Sequence, residues 1–256
     1  MKYLDTATVK VCTKFYKTTF LANMIFIKED VSTCDEQVEK LTIEFNIHYR
    51  SYIGSLIYLL STRVDLSFSV HKLADFSENP GKVYFEGFIN LLRYIRDNKT
   101  LGLKYYADMN NAPVTDLLRQ ASIKTENHLM AFSDFSWQDF PDTGRSTGTY
   151  INFYQGGPID HGTHVPGPVS QSSAESDYNA VCITGIYLAH FRMLIHELLN
   201  KDPDIVLEET PIIVLDIKYT MCMAKNGKDS KHTRNIARRM HFVRNGEKCK
   251  MHKIYW

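Results

Sequence analysis

HLMAFSDFSWQDFPDTGRSTGTYINFYQGG, residues 128–157, is the stretch on which the reading of the chain turns. A short apolar run ends on a carboxylate, Asp134. A loop rich in Asp, Pro and Gly follows, and residues 146–154 then alternate between apolar and polar. The pattern predicts two neighbouring strands, 128–132 and 149–154, with an acidic group at the edge of the first. Two later segments bring further acids to element ends. Asp216 closes PIIVLD, a short buried-strand pattern. Glu175 and Asp177 fall in the first turn of a long helical pattern, 174–199, behind the N-cap candidates Ser172 and Ser173.

Working outward, 256 residues suffice for one large domain or two ordinary ones with a substantial core. The hydrophobic and charged fractions, 44% and 23%, are those of a globular protein, and a net charge of +1 excludes a polyanionic or wholly basic chain. Charge is uneven, however. Residues 225–253 hold ten Lys and Arg against Asp229 and Glu247. So dense a surplus suits an anionic partner such as a phosphate backbone; a solvated basic face is the plainer alternative. The five cysteines (Cys12, Cys34, Cys182, Cys222, Cys249) are odd in number, widely spaced and lack a CxxC. Reduced thiols are expected, not a disulfide framework or zinc knuckle. With no apolar run near 18 residues and no signal-peptide layout, the expected setting is cytoplasmic or nuclear, away from membranes.

Upstream, a short helix is expected around 36–45. Ile53, Leu56, Ile57 and Leu60 recur at helical spacing, as do Leu66, Val70, Leu73 and Phe76 after a break near 62–65. Asn79 and Pro80 read as cap and first-turn proline of a helix over 82–98 that buries Phe85, Phe88, Leu91, Leu92 and Ile95. These residues form a compact helical subdomain. The mixed polar stretch 108–127, with Pro113, reads as an inter-domain connection. Beyond it strands are expected at 128–132, 149–154, 212–215 and 248–255. The helix over 174–199 carries a stripe of Val181, Cys182, Gly185, Ile186, Ala189, Met193 and Leu194. A second helix over 231–244 sets Ile236, Met240 and Val243 against a basic stripe of Lys231, Arg234, Arg238 and His241. Strands alternating with helices indicate a layered α/β domain.

Asp134, Asp216 and the acids at 175 and 177 have the chemistry of a hard-cation site. Mg²⁺ takes oxygen ligands, few of them from protein, and a pair of such ions suits phosphodiester hydrolysis. Two plainer readings stand beside this one: first-turn acids complement the helix dipole, and strand-end Asp residues serve turns. His161 and His164 form an HxxH in a Gly/Pro-rich segment with no third ligand nearby.

From Tyr49 onward the chain resembles the C-terminal part of a copia-type retrotransposon polyprotein, the end of the reverse transcriptase and most of its RNase H domain. The resemblance rests on YRSYIGSLIYLLSTRVDL (49–66), LLRYIRDNKTLGLKYY (91–106), FSDFSWQDFPDTGRSTGTYINFYQGGPI (132–159) and SSAESDYNA (172–180), in order over about 200 residues. It implies an RNase H-like mixed sheet flanked by helices, preceded by a mainly helical subdomain. The implied division is a thumb- or connection-like part over 1–107, a linker over 108–127 and an RNase H-like domain over 128–256 that ends early. The implied chemistry is Mg²⁺- or Mn²⁺-dependent endonucleolytic cleavage of RNA in an RNA–DNA hybrid.

Residue by residue, Asp134 matches the family's first metal-binding Asp, Asp177 stands where its Glu is usual, and Asp216 matches the third acid. Glu175 lies beside them as a further ligand candidate. The family's fourth Asp falls beyond Trp256. Lys231, Arg234, Arg238 and Arg239 are the expected phosphate contacts. There are departures. Ser136 replaces the second acid of an Asp-x-Asp-Trp run, Ile217 follows Asp216 where Asn is usual, and Ala237 stands where an acid is usual between two histidines. Pro166 and Pro168 are poor strand residues. The polymerase's paired-aspartate motif occurs nowhere, so no polymerase activity is expected. The nuclease is expected to be impaired, with a nucleic-acid-binding relic as the alternative.

Overall fold

In a computed structural model of the chain, residues 17–19, 26–123, 129–140, 144–165, 173–198, 210–215 and 237–255 are described. The side chains of residues 28, 136–140, 145, 173, 174, 177 and 237 lie outside that description. Two compact units emerge, Met1–Leu103 and Lys104–Trp256.

The first unit is built on α4 (Lys82–Asp97), preceded by α1 (Asp35–Phe45), α2 (Tyr49–Leu59) and α3 (Ser67–Ala74). Alpha-helical spacing puts Tyr84, Phe85, Phe88, Leu91, Leu92 and Ile95 of α4 on one buried face, the side expected from the sequence. Tyr49 joins three helices. Its ring packs against Phe85 and Phe88 at centroid distances of 5.1 and 5.7 Å, and its hydroxyl donates to the Leu73 carbonyl at 3.0 Å. At the break between α2 and α3, Arg63 donates to both oxygens of Asp65 at 2.8 Å and to the Asn98 carbonyl at 3.1 Å, and the Tyr94 hydroxyl donates to Asp65 at 3.0 Å. Burial pushes the Asp65 carboxyl upward, but the Arg63 hydrogen bonds and charge outweigh it and hold it below the usual range.

Asn79 and Pro80 do not cap α4. Gly81 is its N-cap, and the carbonyls of Asn79 and Pro80 instead accept from the Ser32 amide and hydroxyl at 3.0 and 2.9 Å. That clamp brings the Asp30 carbonyl to where a Cβ on residue 81 would stand, so only glycine fits.

The second unit is a five-stranded sheet ordered β3-β2-β1-β4-β5: β1 (Leu129–Phe140), β2 (Arg145–Tyr154), β3 (Gly157–His164), β4 (Ile212–Leu215) and β5 (Lys253–Tyr255). The first three strands run antiparallel, and β4 and β5 lie parallel to β1 and to each other. This is the mixed sheet, flanked by helices, expected from the sequence. Strand alternation gives β1 two apolar faces. Leu129 and Ala131 pack with Ile213, Leu215 and the helices α6 (Ser173–Leu198) and α7 (Ala237–Lys248). Met130 and Ile212 pack on the other face with Ala112, Val114, Leu118 and Ile123.

Those last residues correct the reading of 108–127 as a bare connection. Residues 109–120 form a 3₁₀ turn and α5 (Pro113–Gln120), whose apolar face covers the sheet. Strand β3 was not anticipated. It pairs with β2 through a two-residue turn with both Gln155 (φ 51°) and Gly156 (φ 71°) in the left-handed region, as a tight hairpin requires. The expected strand 248–255 is shorter, because α7 continues through Lys248. Part of the expected core stripe of the long helix faces outward: Tyr178, Val181, Cys182, Leu188 and Ile195 are buried, whereas Ile186, Met193 and Leu194 are exposed. No helix among the described residues is long and apolar enough to cross a membrane.

Two histidines sit in apolar clefts made by glycines. His164 lies over Gly148 beside the Phe135 ring, with neither ring nitrogen hydrogen-bonded, and His252 rests against Gly185 and Gly246. Burial holds both imidazoles below their usual range. A folded-state value below the unfolded one, near 6.5, favours the native state fully above that pH and costs stability as pH falls through the window beneath it. We therefore expect melting temperature to drop on acidification from pH 7.5 to 5.0, with a shallower drop in His164→Phe. An unchanged slope in the variant would rule out His164 as a source. In urea titrations, Phe88→Ala is expected to cost about 3–5 kcal/mol, whereas Tyr58→Ala, at an exposed position, should stay within about 0.5 kcal/mol.

Candidate functional site

Asp134 is exposed near the middle of β1, opposite Thr149 of β2. Its Oδ1 accepts from the Phe135 amide at 2.7 Å. Alternation along β1 puts Asp134 on the face of Met130 and Phe132, away from α6. Glu175, half-buried, rides on the first turn of α6, which packs on the opposite face. Asp177 lies in the same turn, its side chain outside the description. Asp216 also lies outside the described residues. The parallel register nevertheless pairs Ser133 with Leu215, the residues that precede Asp134 and Asp216 in sequence. Among the described residues, no three His, Cys, Asp or Glu side chains converge in a way that could hold a metal.

The placement of α6 relies on polar contacts that sequence reading missed. Ser176 bonds to Ser146 of β2 at 3.3 Å, and Thr184 to Ser133 of β1 at 3.0 Å, while Thr184 also bonds to the Ala180 carbonyl at 2.8 Å. All four hydroxyl side chains are buried. Each pair ties α6 to a strand beside a candidate acid, Ser176 being flanked by Glu175 and Asp177 and Ser133 by Asp134. The available signal was small hydroxyl residues inside an apolar helical stripe, which read more simply as neutral filler.

The basic helix divides its arginines. Arg238 is exposed, as is His241, while Met240 and Val243 are buried against α6, matching the amphipathic pattern expected. Arg239 is half-buried and donates to Asn179 Oδ1 at 2.6 Å, so it ties α7 to α6. Lys231 and Arg234 lie outside the described residues. His161 and His164 are three apart on one strand and so project from opposite faces, which prevents them from chelating together.

No family model matches the chain. Over 197 residues, 77% of the chain, it is 27% identical to the retrovirus-related Pol polyprotein from transposon RE1 of Arabidopsis thaliana. It is 25% identical over 219 residues, 85% of its length, to the retrovirus-related Pol polyprotein from transposon TNT 1-94 of Nicotiana tabacum. The chain spans only 12% and 15% of these relatives' lengths. Among solved structures, RNase H1 from the halophilic archaeon Halobacterium salinarum NRC-1 aligns with 50% of this chain and 83% of its own, at 10% identity and a TM-score of 0.34. Over most of its length the chain is thus similar in sequence to a segment of the retrovirus-related Pol polyproteins of these transposons.

Proposed function

We propose that this is a retroelement-derived chain in which the end of a reverse transcriptase (1–107) is followed by an RNase H-like domain (128–256), with 108–127, which carries α5, packed on the sheet of that domain. Its ancestral chemistry is endonucleolytic cleavage of RNA in an RNA–DNA hybrid. The observation that carries this reading is the homology over 77% of the chain, running through both units. The β1–β4 register supports it, because it aligns the residues preceding Asp134 and Asp216.

The donor chemistry fits a hard divalent cation, Mg²⁺ or Mn²⁺. Asp134 is exposed, and one of its oxygens is already oriented by a backbone amide, a carboxylate arrangement suited to an oxygen-seeking ion. Asp134, with Asp216 directly after β4, would hold the ion; Asp177 and Glu175 ride on α6, across the sheet from the Asp134 side chain, and are the weaker ligand candidates. When bound, such an ion lowers the pKa of water and neutralises charge on a phosphoryl oxygen. The chain's own contribution is positioning. Ser133 and Ser176 hold the strand and helix that carry the acids, and Arg238, Lys231 and Arg234 meet phosphates along the hybrid. Arg239 acts through Asn179, as a tie between helices.

Two substitutions weaken the site. Asp177 is one methylene shorter than the family's Glu, and misplacement of about 1 Å costs on the order of 10²-fold. Ser136 removes an acid beside Trp137. These departures favour a second reading, in which the fold and basic helix persist as a nucleic-acid-binding relic without catalysis.

Incubating the purified chain with a labelled RNA–DNA hybrid and Mg²⁺ or Mn²⁺ separates the two. The nuclease reading expects slow cleavage that falls at least about 10²-fold in Asp134→Asn. Hybrid binding without cleavage under either ion would leave only the relic, and neither binding nor cleavage would defeat both. For the interface, Arg238→Ala should reduce the slope of log affinity against log salt by about 0.9. Arg239→Ala should instead lower the melting temperature; a salt slope unchanged in Arg238→Ala would remove that residue from the phosphate contacts.

A further inference from the structure

Helix α6 is apolar on both sides. Its inner side packs on the sheet through Tyr178, Val181, Cys182, Leu188 and Ile195. Its outer side, over the last thirteen residues, presents Ile186, Met193, Leu194 and Leu198, between 38% and 73% exposed, with Tyr187 at the margin, 41% exposed and stacked on Tyr150 of β2. At about 100° per residue these five fall on one continuous arc, interrupted only by His190 and Glu197, both exposed. A surface helix normally turns charge outward, and a helix apolar all round is normally covered. The arc amounts to an apolar patch on the order of 500 Å², near the upper end of what monomers leave open.

We propose that a second copy of this chain covers the patch, through antiparallel packing of α6 on its symmetry mate. Area and charge both point to this occupant. Two such patches brought face to face remove about 1,000 Å² from water, the lower bound for a specific interface. A twofold axis is self-complementary, so each side must offer both halves of every pair. The stripe does so. With Met193 and Leu194 at the axis, antiparallel packing sets His190 of each copy near Glu197 of the other, and both polar residues on the arc find a partner. Ile186, Tyr187 and Leu198 flank that centre. The stripe begins about 17 Å along α6 from Glu175, so the dimer leaves the candidate acids open and the inference does not depend on the nuclease reading.

Sedimentation and light scattering of the full chain from about 1 to 200 μM test this. A monomer–dimer equilibrium in the micromolar range is expected for so small an interface. Met193→Glu should weaken it at least about tenfold with an unchanged melting temperature, since that side chain is exposed. His190→Glu should also weaken it, and adding Glu197→Lys should restore it. A chain that stays monomeric throughout, or a dimer equally strong in Met193→Glu, would overturn the proposal. So would a monomer whose melting temperature falls in Met193→Glu, because another part of the same chain would then cover the stripe.

Discussion

The second unit depends on β1 being hydrogen-bonded on both edges and packed on both faces. β2 pairs with it antiparallel and β4 parallel, so its backbone groups are satisfied without water over residues 130–133. Its side chains then have no neutral direction: Leu129 and Ala131 must meet α6, and Met130 must meet α5. A shift of one residue would exchange those faces and set Ser133 among the residues around Leu118. The same rule governs β4, whose Ile212–Leu215 run is apolar throughout because both of its faces are covered.

Register across the sheet does not fix where α6 sits along it, because apolar contacts tolerate sliding. The buried hydroxyl pairs Ser176–Ser146 and Thr184–Ser133 supply that constraint at two points eight residues, roughly 12 Å, apart on the helix. A slip by one turn would break both pairs, and a buried hydroxyl left without a partner costs about 1–3 kcal/mol. Arg239 on Asn179 extends the same logic to α7. Polar groups in this interface therefore act on placement more than on net stability, which neutral hydrogen bonds raise only modestly.

What could be read from the sequence follows from which forces act locally. The buried face of α4 and the apolar run of β4 were legible because periodicity and burial coincide there. Helix ends were less so. The chain enters the left-handed region at Asn46, Ser122 and Lys250, each closing a helix with paired backbone bonds, among them Ile47 to Thr42 and Ile123 to Leu118. Of the three, only Asn46 is a residue type that announces such an ending. β3 was hidden by Pro158 and by Gly157 and Gly162, although the two-residue turn at 155–156 was present in the sequence. Residues 109–123 looked like a linker because their buried residues, Ala112, Val114, Leu118 and Ile123, are few and spread over a short helix and its flanks. Of the candidate site, the helical setting of Glu175 was legible, whereas Asp134, expected at the edge of a strand over 128–132, lies inside β1, which runs on to Phe140. The hydroxyl pins and the structural use of Arg239 were not, since each depends on a partner distant in sequence.

The positions that depart from the copia-type pattern share one property. Ser136, Asp177 and Ala237 each stand where the pattern has a different, acidic residue, whereas the packing residues of the same sheet and helices keep a closed core: Leu129, Tyr178, Val181, Ile213 and Val243 are all buried in one cluster. Core residues are constrained by volume and by the cost of cavities, about 2–5 kcal/mol for a large apolar side chain, and that constraint holds whether or not the chain ever meets a ligand. A metal-binding acid carries no such obligation; removing one relieves repulsion among carboxylates in the unliganded protein. Loss of selection for cleavage would thus erode the acids first and leave the sheet, its pins and its helices in place. A closed core in the elements that carry those altered positions is what that order of loss predicts.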